Sequence, residues 1–422
     1  MANTTRGQLN MQFSFGVEET LFKKCRAFLC EGRLQVIRFY FLLYVITFFL
    51  VLPLLCRDLR HSVYNFRSKS SNQEVKRLRR ENDERLVKNG PIVQMYAEAS
   101  SKSNTSAPLL YSENIDVGIT VVTVSRNRQP KGGYRPRHLT QILGRLVDLI
   151  NITNTELKYG IFLCNVDGHP DSYLEAVSLN TTFTTFQKYK HNQTKVADIF
   201  EKEKMDYIYC IEETLKRNAS NVFMIEDDSY PHKDLFPVLE KVIAYSEETQ
   251  NTNNEIFIKF YHPERLLGYW SLQVERIPEM LAVGALFGSM LIALVSLCLF
   301  TESDCDIRLL WILSVMYFSM VAFAIGRVNL IELRRLSVHL YQLTPSASCC
   351  TQAMFFPQTG AKIIVKHLKE VTCEKGYGKD IALEEIRRRG HYKALMVQPN
   401  LFIHTGIFST LRGGRVNPFL LS

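Results

Sequence analysis

The chain has 422 residues, 46% of them hydrophobic, and a formal net charge of +9. That length is enough for one large domain or two small ones. The basic excess is strongest from Arg57 to Lys88, where ten Lys or Arg stand against five Asp or Glu. No basic groove interleaved with aromatic residues follows, which argues against nucleic acid as a partner. Because an apolar stretch precedes it, we expect this basic segment to be a solvated stem or to contact lipid headgroups.

Three uncharged apolar stretches are long enough to span a bilayer as helices, at residues 39–56, 280–300 and 309–326. We interpret the first as an uncleaved signal anchor, because it starts late and Pro53-Leu54-Leu55-Cys56 is a poor cleavage site for signal peptidase. Only residues 301–308 separate the other two, so we predict a tight membrane hairpin. A buried helix pair in a soluble domain and a re-entrant hairpin are the alternatives.

The charges and the glycosylation sequons predict the orientation of the chain in the membrane. Six Lys or Arg lie within residues 1–38 and favour a cytoplasmic amino terminus. Five Asn-x-Ser/Thr sequons lie between the first and second apolar stretches, at Asn104, Asn151, Asn180, Asn192 and Asn218. We therefore expect this part of the chain to be luminal. The loop of the hairpin should then face the cytoplasm. Its acidic residues conflict only mildly with that side, since acids contribute little to orientation.

A highly charged helix is predicted after the anchor. Ser71-Asn72-Gln73-Glu74 has the form of a capping box, and Asn89-Gly90-Pro91 is a stop signal. Few apolar positions lie between them, so we interpret this helix as a stem and not as a core element.

Strands and helices alternate in the central part of the chain. Predicted strands cover residues 117–124, 159–166, 222–225 and 255–261, and predicted helices cover residues 138–151, about 195–204, 212–217 and 235–246, with an apolar run at 207–211. This alternation predicts an α/β fold with a parallel, Rossmann-like sheet. The roughly 95 residues after the hairpin show no convincing sheet of their own, so we expect them to complete the first sheet.

Three adjacent carboxylates, Glu226-Asp227-Asp228, directly follow the apolar run 222–225. Open α/β sheets bind ligands at the carboxyl ends of their strands, and oxygen ligands suit Mg²⁺ or Mn²⁺. His404, after another apolar run, is a candidate further ligand. A solvated acidic turn and a structural histidine are the alternatives.

A displacement at a sugar carbon also needs a base to take the proton of the acceptor hydroxyl. Asp380 lies at a predicted helix start after Gly376-Tyr377-Gly378-Lys379, with Glu384 and Glu385 as nearby candidates. An ordinary helix cap and a solvated helix face are the alternatives.

The cysteines on the luminal side could form disulfides. Cys373 with Cys349 or Cys350 is a plausible pair, and Cys164 with Cys210 is another. No Cys/His spacing suggests zinc.

These motifs together carry a resemblance. The strand ending at Ser125, the acids 226–228 and Val397-Gln398-Pro399-Asn400-Leu401-Phe402-Ile403-His404 resemble a GT-A glycosyltransferase. The Ser125-Arg126 and Val-Gln-Pro…His elements are similar to those of the branching N-acetylglucosaminyltransferases of N-glycans. A GT-A domain split by a membrane hairpin, behind an anchor, resembles the Golgi family that adds N-acetylgalactosamine to GPI anchors, over most of residues 39–422.

The resemblance implies UDP-GalNAc as donor, Mn²⁺ (or Mg²⁺) as cofactor and a mannose of the GPI core as acceptor, with inversion to a β-linkage. It implies Asp228, Glu226 and His404 as metal ligands, with Asp228 in the most direct contact. The expected donor-binding residues are Ser125, Arg126, Asp167, Glu226 and Asp227. Because glutamate occupies the first position of the acidic motif, it stays open which of these acids binds the metal and which binds the donor.

The expected organisation is a Golgi multi-pass membrane protein with a luminal catalytic domain. Its predicted parts are a cytoplasmic tail (1–38), a signal anchor (39–56), a luminal stem (57–112), the first part of the GT-A domain (113–279), the hairpin (280–326) and the second part of the domain (327–422). The runner-up functions are an N-glycan N-acetylglucosaminyltransferase, which needs no hairpin, and a non-catalytic membrane scaffold with a transferase-like fold. A transporter is less favoured, because the three stretches carry no charge that could line a pathway.

Overall fold

The computed structural model describes residues 33–65, 71–102, 114–125, 134–190, 198–249, 254–269, 276–299, 306–409 and 414–415. Two compact units are formed, each from separate segments of the chain. One consists of Met1–Ser68 and Gly268–Leu330, and the other of Lys69–Leu267 and Ile331–Ser422. We call them the helical unit and the sheet unit.

The elements are numbered in chain order. The helices are α1 (Arg33–Ile46), α2 (Ser71–Lys102), α3 (His138–Ile152), α4 (Leu174–Leu179), α5 (Ile199–Leu215), α6 (Leu235–Thr249), α7 (Arg276–Leu299), α8 (Ile307–Ile325), α9 (Arg327–Glu332), α10 (Gln358–Glu370) and α11 (Lys379–Arg389). The strands are β1 (Ile115–Thr123), β2 (Tyr159–Asn165), β3 (Thr184–Gln187), β4 (Ala219–Glu226), β5 (Ser229–Pro231), β6 (Glu255–Lys259), β7 (Gln342–Pro345), β8 (Ala353–Pro357), β9 (Lys393–Gln398), β10 (Phe402–His404), β11 (Phe408–Ser409) and β12 (Gly414–Arg415). Helix α1 continues through a π-helical turn, Thr47–Val51, into a further helical turn, Leu52–Leu55.

The helical unit contains three helices that are long and apolar enough to cross a membrane: Leu34–Leu55, Arg276–Leu294 and Ile307–Ile325. Large apolar side chains on them are not covered by protein, for example Phe49 on the first helix, Leu286 on α7 and Met316 on α8, which are 80%, 59% and 56% exposed. A buried helix pair of a soluble domain would cover such side chains, so these helices support a membrane protein.

Small residues and hydrogen bonds join these helices to one another. Gly284 and Gly288, four residues apart on α7, pack against α8, where a Cβ on Gly284 would lie 2.6 Å from the carbonyl oxygen of Val315. The hydroxyls of Tyr40 and Ser314 are 2.5 Å apart. Membrane helices associate through close packing at small residues and through hydrogen bonds of this kind.

The sheet unit is built on an eight-stranded sheet in the order β3-β2-β1-β4-β8-β6-β9-β7. The pairs β3–β2, β2–β1, β1–β4 and β6–β9 are parallel, whereas β8 and β7 run antiparallel to their neighbours. The predicted α/β class and mostly parallel sheet are therefore confirmed. Strands β7, β8 and β9 come from the segment after the two apolar helices and complete the sheet, as the sequence indicated.

Alternation along β4 separates the core into two parts, one on each face of the sheet. Phe223 and Ile225 face the part that contains apolar residues of α3 and α6. Val222 and Met224 face the other part, which contains apolar residues of α5, α10 and α11. This alternation also fixes the directions in which the acids after Ile225 can point.

Helix α2 corrects two predictions. It continues through Gly90-Pro91 to Lys102, because Asn89 is fully buried and its side-chain amide donates to the carbonyl of Arg85 and to the hydroxyl of Tyr230. Tertiary contacts here override the local stop signal. The helix is also part of a core, since Val93 joins the cluster around α3 and β1.

Two further predictions are corrected. The apolar run 207–211 is helical and joins parts of the predicted helices 195–204 and 212–217 into the single helix α5, whose buried face includes Tyr207, Ile208 and Ile211. Cys373 is not paired with Cys349 or Cys350, which are joined to each other. Cys373 is fully buried in the core formed with α5 and α11, whereas Cys349 and Cys350 are partly exposed. The pair Cys164–Cys210 is confirmed.

Candidate active site

The acids Glu226, Asp227 and Asp228 lie where β4 ends, at the carboxyl edge of the parallel strands. A turn at Asp227-Asp228 leads at once into the short strand β5. The backbone N–H of Glu226 donates to the carbonyl of Gln352 (2.8 Å), and that of Asp227 donates to the carbonyl of Val122 (3.1 Å). Strands on both sides therefore fix the backbone of the acidic motif.

Asp227 is buried and points toward the end of β1. The hydroxyl of Thr123 donates to Asp227 Oδ2 (2.6 Å) and is also 2.9 Å from the hydroxyl of Tyr173. Asp227 is 2% exposed. A buried carboxylate is stabilised by such hydrogen bonds, so Thr123 and Tyr173 hold this side chain in one orientation.

Asp228 lies beside His404, which the sequence suggested as a further metal ligand. Strand β10 pairs with β5 so that His404 stands opposite Ser229, and His404 Nε2 lies 3.3 Å from Asp228 Oδ2. The backbone N–H and the hydroxyl of Thr405 both donate to the carbonyl of Asp228 (2.7 and 2.9 Å). The other ring nitrogen of His404, Nδ1, is buried and has no hydrogen-bond partner within the described parts of the chain.

Glu226 points to the opposite side, toward α5 and α11. Its Oε1 accepts a hydrogen bond from Thr351 Oγ1 (3.1 Å) and lies 3.4 Å from Lys379 Nζ. The same ammonium group lies 2.7 Å from Glu203 Oε1 and over the ring of Tyr207. Burial alone would lower the pKa of Lys379, but Glu203 and Glu226 together raise that pKa above its usual value. Lys379 is therefore a firmly charged partner of Glu226.

The residues present fit a divalent cation only as part of a shared site. No group of three His, Cys, Asp or Glu is close enough to bind a metal within the residues that the structure describes. Asp228 and His404 do offer a carboxylate oxygen and an imidazole nitrogen at one buried point. Mg²⁺-type ions are commonly bound by one or two carboxylates and completed by substrate phosphates. The structure brings Asp228 and His404 together, but it does not bring Glu226 to them.

Asp167 links the ends of β1 and β2. Its carboxylate accepts the backbone N–H of Ser125 (2.8 Å) and that of His169 (2.7 Å), and the residue is 1% exposed. Ser125 and Asp167 are thus brought together beside the strand that carries Thr123. Arg126, the next predicted donor-binding residue, lies outside the described residues.

Asp380, Glu384 and Glu385 all lie on α11, but in different settings. Glu384 pairs with Arg387 (2.9 Å), and Glu385 pairs with Arg389 (2.5 Å) and with the hydroxyl of Tyr377, which lowers the pKa of Glu385. Asp380 is partly exposed and directly follows Lys379. Among these three acids, Asp380 is the one that directly neighbours Lys379, which contacts Glu226.

Several residues around the acids were missed by the sequence reasoning: Thr123, Tyr173, Glu175, Glu203, Thr351 and Lys379. Glu175 accepts both the N–H and the hydroxyl of Thr140 (2.8 Å each). Burial raises the pKa of Glu175 to about 7, and the charge of Asp227 acts in the same direction. The sequence around each of these residues carries no signal of its partner, so no motif assigned them to the site.

The chain was compared with known proteins. A family model described as GPI-N-acetylgalactosamine transferase PGAP4 matches residues 117–403 of the 422. Among solved structures, the chain is similar to the mannosyltransferase PcManGT from Pyrobaculum calidifontis in complex with GDP-Man and Mn²⁺, with 11% identity and a TM-score of 0.29. The match covers 75% of this chain and 65% of that one, so the chain spans less than two thirds of that protein's length.

Proposed function

The chain belongs to the GPI-N-acetylgalactosamine transferase PGAP4 family and is thus a glycosyltransferase acting on GPI, and we propose that it moves N-acetylgalactosamine from UDP-GalNAc to a mannose of the GPI core. The transfer proceeds with inversion, so that an α-linked donor gives a β-linked product. The observation that carries this proposal is the pair formed by His404 and the buried Asp228 at the end of β4, within the matched residues.

Asp228 and His404 would hold the Mn²⁺ (or Mg²⁺) ion. When bound, the ion supplies positive charge that offsets the charge of the departing diphosphate. Asp227, held by Thr123, is positioned to accept hydrogen bonds from hydroxyls of the donor. The linked Ser125 and Asp167 contribute the neighbouring part of the donor site, together with Arg126. Glu226, which Thr351 and Lys379 draw toward α11, contacts the transferred sugar in this proposal.

The transfer itself is a single displacement. The acceptor hydroxyl oxygen bonds to the anomeric carbon of the donor as the bond from that carbon to the diphosphate oxygen breaks, and UDP leaves with the bonding pair. Asp380 takes the proton of the hydroxyl. We favour Asp380 over Glu384 and Glu385, because ion pairs with Arg387 and Arg389 hold those two carboxylates. Asp380 is also partly exposed, so an acceptor can reach it.

We propose a Golgi membrane location with the amino terminus (1–38) in the cytoplasm and the sheet unit in the lumen. The Cys164–Cys210 disulfide supports a luminal sheet unit, since disulfides persist in oxidising compartments. The five sequons between the first two apolar helices support the same side. Anchoring at residues 39–56 and again at 280–326 would keep the catalytic domain near a glycan that lies close to the bilayer, which raises the effective concentration of the acceptor.

The test is a donor screen on the purified full-length chain with Mn²⁺ and a GPI-anchored acceptor. We expect transfer from UDP-GalNAc, and transfer only from UDP-GlcNAc to N-glycans would favour the branching-enzyme alternative. Asp228→Ala should abolish transfer, whereas Glu84→Ala, which removes an exposed acid 3.7 Å from Arg80 on α2, should not. Full activity of Asp228→Ala would overturn the assignment of the metal site. An absence of Mn²⁺-dependent UDP binding by calorimetry would favour the non-catalytic scaffold.

A further inference from the structure

Lys379 is a buried cation that joins three elements of the sheet unit. It is 7% exposed, and its ammonium group contacts Glu226 at the end of β4 and Glu203 on α5 (3.4 and 2.7 Å). It also lies over the ring of Tyr207, at 4.8 Å from the ring centre. A lysine is rarely buried to this extent unless it is paired, and here both of its carboxylate partners come from other elements.

The backbone of Lys379 begins α11, so its side chain fixes the end of the helix that carries Asp380. The loop before it is closed by its own hydrogen bonds, since the N–H and carbonyl groups of Glu374 and Tyr377 pair reciprocally (3.1 and 2.9 Å). The hydroxyl of Tyr377 then binds Glu385 on the helix. The loop and the start of α11 therefore form one ordered segment, and the lysine connects this segment to the acidic motif.

We propose that Lys379 is a positioning residue, which sets the distance between Asp380 on the acceptor side and Glu226 on the donor side. This inference rests on the proposed function and deepens it. Lys379 itself contacts neither reactant in this account. It acts through Glu226, whose carboxylate it directs toward α11 together with Thr351, and through the helix start that it holds in place.

Loss of this link should affect the reaction more than donor binding. A displacement of about 1 Å between reacting groups can cost about 100-fold in rate. The donor would still meet Asp227, Asp228 and His404, whose hydrogen bonds do not involve Lys379. We therefore expect Lys379→Met to lower kcat about 100-fold while the Kd for UDP with Mn²⁺ changes less than about threefold.

The experiment measures kcat, the KM for UDP-GalNAc and the Kd for UDP with Mn²⁺ on the full-length chain and its variants. Lys379→Arg keeps the charge and should recover most of the kcat that Lys379→Met loses. The matched control is Lys369→Met, which breaks an exposed bridge from α10 to Glu212 on the same helix α5 (2.5 Å). That control should behave as the wild type does.

The outcomes separate this inference from the proposed function. If the wild type shows no transfer from UDP-GalNAc, the proposed function fails and the inference fails with it. If the wild type transfers and Lys379→Met has wild-type kcat, only the inference is overturned. Equal losses of kcat and of UDP affinity in a Lys379→Met protein that keeps the wild-type Tm indicate a general structural role and also overturn it.

Lys379→Met could lose UDP binding through misfolding, and Glu203→Gln then decides. This variant keeps Lys379 and its contact with Glu226 but removes the negative charge of the second carboxylate partner of the ammonium group. A kcat reduced at least about threefold with unchanged UDP affinity supports the inference. Wild-type kcat in Glu203→Gln overturns it.

Discussion

Glu175 should make the stability of the sheet unit depend on pH. Its carboxylate accepts two hydrogen bonds from Thr140, and burial raises its pKa to about 7 from the ordinary 4.5. Because the folded-state pKa is the higher one, the protonated form stabilises the fold. This stabilisation is complete below about pH 4.5 and is lost as the pH rises through about 7. At 1.36 kcal/mol per pH unit, the two values correspond to about 3 kcal/mol.

The perturbation is Glu175→Gln, which does not titrate and whose amide oxygen can still accept both bonds from Thr140. The Tm of the wild type should fall relative to that of the variant by about 6 °C between about pH 4 and about pH 8, at about 2 °C per kcal/mol for a unit of this size. Thermal unfolding followed by circular dichroism of the full-length chain measures this difference.

The control for Glu175 is Glu84→Gln, which removes an exposed carboxylate 3.7 Å from Arg80 on α2. Its Tm should stay close to that of the wild type at each pH, since exposed substitutions of this kind change stability by less than about 0.5 kcal/mol. A constant gap between wild type and Glu175→Gln across the pH range would refute the reasoning. A variant less stable than the wild type at about pH 8 would refute it as well.

Three further perturbations test other parts of the structure. Gly284→Leu should reduce the yield of monodisperse full-length chain in size-exclusion chromatography, because the new leucine side chain would collide with Val315 on α8. The control is Gly90→Ala, whose added Cβ has no atom within 4 Å. An unchanged Gly284→Leu elution profile would contradict the packing of the two helices. Replacing both Cys164 and Cys210 by Ser removes a disulfide that spans 46 residues and should lower the free energy of unfolding by about 4 kcal/mol. Urea titration measures this change, and an unchanged midpoint would show that the disulfide does not stabilise the fold. Thr123→Val should raise the KM for UDP-GalNAc about tenfold, because a hydrogen bond to a charged group contributes about 1.5 kcal/mol; an unchanged KM would remove Asp227 from the donor site.

The sequence predicted the features that depend on local pattern. The β-branched run at 117–124 and the apolar run before Glu226 became the parallel neighbours β1 and β4, because a strand buried on both faces needs an unbroken apolar sequence. The sequence also assigned Asp228 and His404, 176 positions apart, to one predicted metal site, and the structure places the two side chains next to each other. Each residue follows an apolar run, and β5 and β10 then bring the two run ends together.

The rest of the site depends on tertiary contacts that leave no local trace. Gly90-Pro91 carries a stop signal, yet α2 continues because Asn89 is anchored by Arg85 and Tyr230. Lys379 resembles any other helix-start lysine in the sequence, and only the fold shows that Glu203 and Glu226 surround it. The three acids are adjacent in sequence, but their carboxylates meet three different sets of partners. The alternation of side chains separates Glu226 from Asp227, and the turn at Asp227-Asp228 directs Asp228 to His404.

The position of β8 has a consequence for biosynthesis. This strand lies between β4 and β6, yet it is encoded after both apolar helices of the hairpin, 127 residues beyond the end of β4 (Glu226 to Ala353). At about 5 to 20 residues per second, a ribosome needs roughly 6 to 25 s to supply it. Until then, the edges of β4 and β6 lack their shared neighbour and need protection from aggregation. Substitutions that delay insertion of the hairpin should therefore lower the amount of folded enzyme without changing the turnover of each molecule that matures.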